Sequence, residues 1–171
     1  MKIHKRLNQK GVTLVEIILV IAIIGILAGI TVMVIGHLRY ADTEKAVKTV
    51  DSSLDKLQVQ TMSKADTPYL YIYHLSDGYY LKIMNDNVNS FDTSKFDKKG
   101  VKIANNRVDI YKESKTGTKV TGNTFIKVVY KKSAAFDKGT GMTNVSKIVI
   151  DGVGTYTVKL IEDTGKHFVE S

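Results

Sequence analysis

The apolar residues of the chain are concentrated in one uninterrupted stretch near its N-terminus. Residues 17–36 form a run of 20 residues without a formal charge. Because an α-helix rises about 1.5 Å per residue, such a run extends over about 30 Å, the thickness of the hydrocarbon core of a bilayer. The pattern therefore predicts a membrane-spanning helix.

Charges on either side of this stretch predict its orientation. Residues 1–15 contain no acid but four basic residues: Lys2, Lys5, Arg6 and Lys10. Basic residues favour the cytoplasmic side, so we expect the N-terminus inside and the rest of the chain outside. A cleaved secretory leader has a shorter apolar region, of about 7 to 15 residues, and a small-residue cleavage site. The sequence has no convincing site of that kind, so we favour an anchor over a cleaved leader.

Helical spacing of apolar residues continues beyond the apolar stretch. Val47, Val50, Leu54 and Leu57 are three, four and three residues apart, which predicts an amphipathic helix. We expect this helix to end near Ala65, because the residue before Pro68 is disfavoured in helical geometry.

The remaining sequence has the pattern of short strands and tight turns. Turn signals at 76–78 and 151–154 predict two hairpins, and the polar segment 85–100 predicts a loop. Strands are expected at 69–74, 79–84, 101–104, 107–111, 124–130, 145–150 and 155–161. The predicted fold class is α+β: a long N-terminal α-helix, transmembrane and then amphipathic, packed on an antiparallel β-sheet.

Composition excludes several kinds of chemistry. The chain has no cysteine, which rules out disulfides, thiolate metal sites and a cysteine nucleophile. Its four histidines are scattered, and no phosphate-binding loop, serine-hydrolase or zinc-protease motif occurs. We therefore expect no catalytic site, metal site or cofactor. Asp86, Asp92 and Asp97 in the polar loop offer oxygen ligands for Ca²⁺, but without an EF-hand pattern we favour solvated loop acids.

Positive charge is concentrated in one part of the chain. Of a net charge of +8, residues 95–132 hold 11 basic and 3 acidic side chains. One interpretation is a nucleic-acid contact through Lys127, Lys131 and Lys132, which alternate with aromatic residues. We favour the other, in which strand lysines face solvent and protect sheet edges.

A short motif stands immediately before the apolar stretch: Lys10-Gly11-Val12-Thr13-Leu14-Val15-Glu16. An acid beside a membrane segment is costly and needs a partner. The order of basic leader, glycine, acid and long apolar helix resembles the N-terminus of type IV prepilins and pseudopilins, over about the first 36 to 40 residues. The resemblance implies a cut after Gly11 by a prepilin peptidase, N-methylation of Val12, and a role for Glu16 in assembly. The family most often has phenylalanine at the position of Val12, and many major pilins have a proline at that of Met33.

The resemblance also implies a function and a division of the chain. It implies a structural subunit, not an enzyme, with a leader at 1–11, a transmembrane and assembly helix at 12–36, an amphipathic continuation at 37–66 and an extracytoplasmic β-rich domain at 67–171. The implied partners are copies of itself or sister pilins, prepilin peptidase, membrane lipid, a membrane assembly platform and a cytoplasmic ATPase. The alternative is a non-polymerising single-pass anchored protein whose outer β domain binds a ligand or DNA.

Overall fold

The computed structural model describes residues 13–139 and 143–171, apart from the side chains of 30–38. The chain divides into two compact units, Met1–His37 and Leu38–Ser171. The described residues form one α-helix, α1 (Leu14–Ser63), and eight strands. The strands are β1 (Tyr69–Leu75), β2 (Gly78–Met84), β3 (Val101–Ala104), β4 (Asp109–Lys112), β5 (Phe125–Val128), β6 (Lys147–Asp151), β7 (Thr155–Leu160) and β8 (His167–Glu170).

In the second unit, one side of α1 is buried against the sheets. Val47, Val50, Leu54 and Leu57 are at most 7% exposed, which confirms the predicted amphipathic helix. Thr43 and Thr61 extend this buried side, and the hydroxyl of each donates a hydrogen bond to the backbone carbonyl four residues earlier. The helix ends at Ser63, two residues before the predicted end and ahead of Pro68.

The predicted single antiparallel sheet is wrong, because the strands form two four-stranded sheets. Their orders are β3-β2-β1-β5 and β4-β6-β7-β8, with every pairing antiparallel. Both predicted hairpins are confirmed, since β1 pairs with β2 and β6 with β7. Alternation along the chain indicates that a strand exists, whereas its partner depends on contacts distant in sequence. The sequence analysis also missed β8, whose residues His-Phe-Val-Glu do not alternate between apolar and polar.

Alternate residues of the first sheet face two different apolar clusters. Leu70 and Ile72 of β1 join the main core, which also contains the buried side of α1 and inward residues of both sheets. Tyr71 and Tyr73 point to the other side, into an aromatic cluster. This second cluster includes Phe96, which belongs to the segment 85–100.

The segment 85–100 contains no helix or strand, as predicted, but tyrosine hydroxyls fasten it to the sheet. The Tyr71 hydroxyl donates to the carbonyl of Asp86 at 2.9 Å and accepts from the N–H of Val88 at 2.8 Å. The Tyr73 hydroxyl donates to the carbonyl of Asp97 at 2.6 Å. These bonds satisfy polar groups that the aromatic cluster would otherwise leave unpaired.

We expect the fold to lose stability at alkaline pH through these tyrosines. Burial raises the pKa of Tyr71 to about 12, and burial also raises the pKa of Tyr73. In the unfolded chain tyrosine ionises at about pH 10. The stability that the neutral, buried hydroxyls contribute is therefore complete below about pH 10 and is lost as pH rises towards 12. The loss is at most about 1.4 kcal/mol per pH unit for each such tyrosine.

Urea unfolding of the detergent-solubilised chain between pH 9 and 12 measures this effect. Tyr71→Phe should give a shallower fall in the free energy of unfolding than the parent chain. Tyr40→Phe is the matched control, because Tyr40 is 51% exposed. Equal pH slopes for the parent and the Tyr71 variant would contradict the prediction.

Candidate assembly segment and basic surface

Thr13 caps the beginning of α1. Its side-chain oxygen accepts from the N–H of Glu16 at 3.3 Å, and its carbonyl accepts from the N–H groups of Glu16 at 3.1 Å and Ile17 at 3.2 Å. Thr13 and Glu16 thus have the spacing of a capping box, in which the acid stands in the first helical turn. The sequence analysis missed this role, although a threonine three residues before an acid at the start of an apolar run is its usual signal.

The structure leaves the Glu16 side chain exposed in that first turn. The turn itself favours a carboxylate, because the backbone N–H groups at a helix N-terminus carry partial positive charge. Among the described residues, none forms an ion pair with Glu16. Gly11 and Val12 lie outside the described residues, so the cut site, the methylation and the pairing of Glu16 stay predictions.

Apolar side chains in the first turns of α1 are exposed to an unusual degree. Between Leu14 and Leu27, the exposed fractions of the large aliphatic side chains range from 48% to 74%. The side chains concerned are Leu14, Val15, Ile17, Ile18, Leu19, Val20, Ile21, Ile23, Ile24, Ile26 and Leu27. A contiguous apolar surface of this kind marks a protein or membrane contact.

Within the part of the chain that the structure describes, no helix is long and apolar enough to cross a membrane. The predicted transmembrane segment, 12–36, extends beyond the described side chains at both ends.

Lys127 is buried rather than presented on the surface. It is 3% exposed, and its ammonium lies 2.8 Å from Asn89 Oδ1, 3.1 Å from Asn87 Oδ1 and 3.4 Å from the carbonyl of Val88. Burial lowers the pKa of this lysine. Its contacts hold residues 87–89 against β5. Lys127 therefore has a structural role, whereas the sequence analysis treated it as a surface lysine.

Lys132 binds the end of α1. Its ammonium donates to the carbonyl of Thr61 at 2.7 Å and to the carbonyl of Lys64. The last carbonyls of a helix have no partner within the helix and carry partial negative charge, so a lysine there is stabilising. Lys131, its neighbour, is exposed. Contact of Lys127, Lys131 and Lys132 with nucleic acid, the interpretation that the sequence analysis did not favour, stays a hypothesis.

The positive charge of residues 95–132 is compensated by acids from elsewhere in the sequence. Asp42 in α1, Asp77 in the β1–β2 turn, Asp86 in the loop and Asp151 in β6 all pair with cations of this stretch. The pairs are Arg107–Asp42 at 3.7 Å, Lys98–Asp77 and Lys102–Asp77 at 3.2 Å, Lys95–Asp86 at 2.9 Å and Lys115–Asp151 at 2.8 Å. A charge count along the sequence therefore overstates the positive field at the surface.

The three loop acids do not converge on one point. Asp86 pairs with Lys95 at 2.9 Å, and Asp97 pairs with Lys82 at 3.0 Å. Asp92 accepts from the N–H of Ser94 at 2.8 Å and from its hydroxyl at 2.7 Å. Hydrogen bonds from these partners lower the pKa of Asp92 and Asp97. No group of three histidine, aspartate or glutamate side chains is placed to hold a metal ion among the described residues.

Comparison with known proteins supports the N-terminal motif. The family model for the prokaryotic N-terminal methylation motif matches residues 6–32, so the resemblance to the prepilin motif of type IV pilins and pseudopilins is confirmed. The motif indicates a type IV pilin-like protein that is processed as a prepilin, and proteins with this motif are structural rather than enzymatic. Neither the curated proteins nor the solved structures contain a significant match.

The different positions of Lys131 and Lys132 predict different effects on stability. Lys132→Ala should lower the free energy of unfolding by about 0.5 to 1 kcal/mol, because it removes a cation from the C-terminal end of a helix. Lys131→Ala is the matched control and should change it by less than about 0.5 kcal/mol, as is usual for surface substitutions. Urea unfolding of the detergent-solubilised variants measures both. Equal effects would show that the contact of Lys132 with α1 is not stabilising.

Proposed function

We propose that this chain is a structural subunit of a type IV pilus or pseudopilus, processed after Gly11 and polymerised through its N-terminal helix. The observation that carries the proposal is the methylation motif at residues 6–32, within which the apolar side chains from Leu14 to Leu27 are exposed. Such a surface needs contact with lipid before assembly and with the helices of other subunits after assembly. In the proposal, the same segment makes both contacts.

Before assembly, the proposed subunit is a single-pass protein of the cytoplasmic membrane. Residues 12–36 anchor it, the leader 1–11 lies in the cytoplasm, and residues 67–171 lie outside. The basic leader and the uncharged run 17–36 support this orientation. Prepilin peptidase, an assembly platform and a cytoplasmic ATPase then act on it, and the filament carries its outer domain to the cell surface.

Glu16 gives the proposed filament its register. A cut after Gly11 creates an α-amino group at Val12, and methylation leaves that group cationic. At an effective dielectric constant of about 20, two unit charges 4 Å apart attract by about 4 kcal/mol. Apolar helices alone have little preference for one axial position, whereas an unpaired carboxylate in lipid is penalised. Pairing of Glu16 with the Val12 amine of a neighbouring subunit therefore selects one position.

The processing step predicts a defined N-terminus. Mass spectrometry of the membrane-extracted chain, from cells with active prepilin peptidase, should detect a chain that begins at Val12 with a methylated amine. Gly11→Ala or a bulkier replacement should block the cut but leave membrane insertion intact, because the apolar run is unchanged.

Two outcomes would contradict this prediction. A parent chain that keeps residues 1–11 would favour the alternative, a non-polymerising anchored protein whose outer domain binds a ligand or DNA. Normal maturation of the Gly11 variants would show that the cut site is elsewhere.

The proposed ion pair predicts a loss of filaments without its carboxylate. Glu16→Ala should give a normal amount of membrane protein but few filaments, counted by electron microscopy of sheared cell-surface material. Glu16→Gln should have the same defect, because it removes the charge. Glu44→Ala is the control, since Glu44 is an acid of the same helix whose partner is Lys48 at 2.6 Å.

The glutamine variant separates two roles for Glu16. A capping box accepts glutamate or glutamine at this position, so a purely local role in beginning α1 survives Glu16→Gln. Normal filaments from that variant would remove the ion pair and leave the capping role.

A further inference from the structure

Two of the four sheet edges are covered within the second unit. At the outer edge of β5, the N–H of Asn144 donates to the carbonyl of Lys127 at 3.0 Å, and the side-chain oxygen of Asn144 accepts from the N–H of Lys127 at 2.9 Å. At the outer edge of β4, the N–H of Lys112 donates to the carbonyl of Thr118 at 2.9 Å. These edges therefore present satisfied backbone groups.

The other two edges belong to β3 and β8 and are open among the described residues. β3 pairs only with β2, and β8 only with β7; no described residue hydrogen-bonds to the backbone of their outer edges. Each also carries exposed apolar side chains: Val101 is 57% exposed in β3, and Phe168 and Val169 are 40% and 39% exposed in β8. An open edge with exposed apolar side chains is a template for pairing with another strand.

The two open edges lie on opposite sides of α1. A groove of about 290 Å³ beside β3 is lined by Ser53 of α1 and by Val101. At β8, His167 Nε2 lies 3.4 Å from Asp51 and 3.6 Å from Asp55. Ser53 is two residues from Asp51 and two from Asp55. In a helix of about 3.6 residues per turn, its side chain is therefore about 160° around the axis from either aspartate.

The surroundings of the two edges have opposite charge. Three lysines line the groove beside β3, and two of them share the carboxylate of Asp97: Lys82 at 3.0 Å and Lys99 at 3.9 Å. The third is Lys56, so three cations stand against one acid.

Beside β8, Asp51, Asp55 and Glu170 stand against Lys159, which lies 3.8 Å from Glu170. The three acids outnumber Lys159 and Lys166, the exposed lysine immediately before β8, so this edge has an excess of carboxylates over lysines. Opposite charges steer two surfaces towards each other and disfavour the pairing of like edges.

We propose that the β8 edge of one copy of this chain docks on the β3 edge of a second copy. Charge complementarity selects the unlike pair, and Val101 meets the exposed apolar residues of β8. The contact is heterologous, so each added copy leaves one free β3 edge and one free β8 edge, and the assembly continues without closing. The inference goes beyond the proposed function because it adds a contact between β-rich units to assembly through the N-terminal helix.

The contact is weak on its own. Each edge strand has only four residues, and both are flanked by charged side chains, features that limit edge-to-edge aggregation of free subunits. Packing of the N-terminal helices raises the effective concentration of the two edges, which makes a weak contact sufficient.

Cysteine cross-linking of the full chain tests the proposal, because the native sequence has no cysteine. Val101→Cys and Phe168→Cys are expressed singly and together in the same cells, and membranes and sheared filaments are treated with a mild oxidant. We expect reducible dimers mainly when both variants are present. Val153→Cys, 54% exposed in the β6–β7 turn, is the matched control and should not cross-link with either.

The outcomes separate this inference from the proposed function. Normal filaments without the Val101–Phe168 cross-link would overturn the edge contact alone, as would equally abundant cross-links from either variant by itself. Cross-links in membranes without any filament would retain the edge contact and count against assembly through the N-terminal helix.

Charge reversal gives a second measurement. Lys99→Glu on the Val101→Cys chain, or Glu170→Lys on the Phe168→Cys chain, should lower the cross-linked fraction by roughly fivefold, since each places like charges across the contact. The two reversals together should restore most of it. An unchanged fraction in both single reversals would overturn the charge complementarity.

Discussion

Burial of one side of α1 is the constraint on which the second unit depends. Val50, Leu54 and Leu57 are fully buried and belong to the same apolar core as residues of both sheets. Among the described residues the strands form two separate sheets, and both sheets contribute to this one core with the helix. Loss of a large aliphatic side chain there costs about 2 to 5 kcal/mol in typical proteins, a large part of the stability of a domain.

The same helix also contains the exposed apolar side chains from Leu14 to Leu27. Leu14–Ser63 is one helix, yet its large side chains between Leu14 and Leu27 are exposed while those between Val47 and Leu57 are buried. Exposure of apolar side chains to water is unfavourable, and burial removes this free-energy cost for the residues between Val47 and Leu57 but not for those between Leu14 and Leu27. The N-terminal part therefore requires a lipid or protein surface that the described residues do not provide, and it lies within the methylation motif at residues 6–32.

Local features were predictable from the sequence, whereas features made by distant residues were not. The amphipathic helix, both hairpins and the loop at 85–100 depend on spacing and turn residues within a few positions, and all of them were predicted. The division into two sheets depends on pairings such as Leu70 with Val128, which are far apart in sequence. The prepilin motif is also local, which is why seven residues and the apolar run after them indicated it.

The basic stretch 95–132 shows that the sequence also does not reveal the distant partners of residues in a candidate site. Its charge is real in the sequence, but the acids that compensate it come from α1, from the β1–β2 turn and from β6. Lys127 and Lys132 have contacts with residues 38 and 71 positions away. A count of neighbouring charges contains no information about such partners, so only the fold distinguishes a structural lysine from a surface lysine.

For the proposed subunit, which is stored in a membrane before assembly, weak edges and a strong axial register are complementary requirements. If the β3 and β8 edges bound tightly, free subunits would polymerise wherever they met, because an open heterologous contact has no natural end. If only the helix contact existed, the β-rich units would be held together solely through their anchors. In the proposed assembly, the ion pair between Glu16 and the Val12 amine exists only after the leader is removed, so assembly depends on processing, and edges that act only at high local concentration follow it. The charged flanks of these short strands therefore fit a surface that remains unpaired until the N-terminal helices have packed.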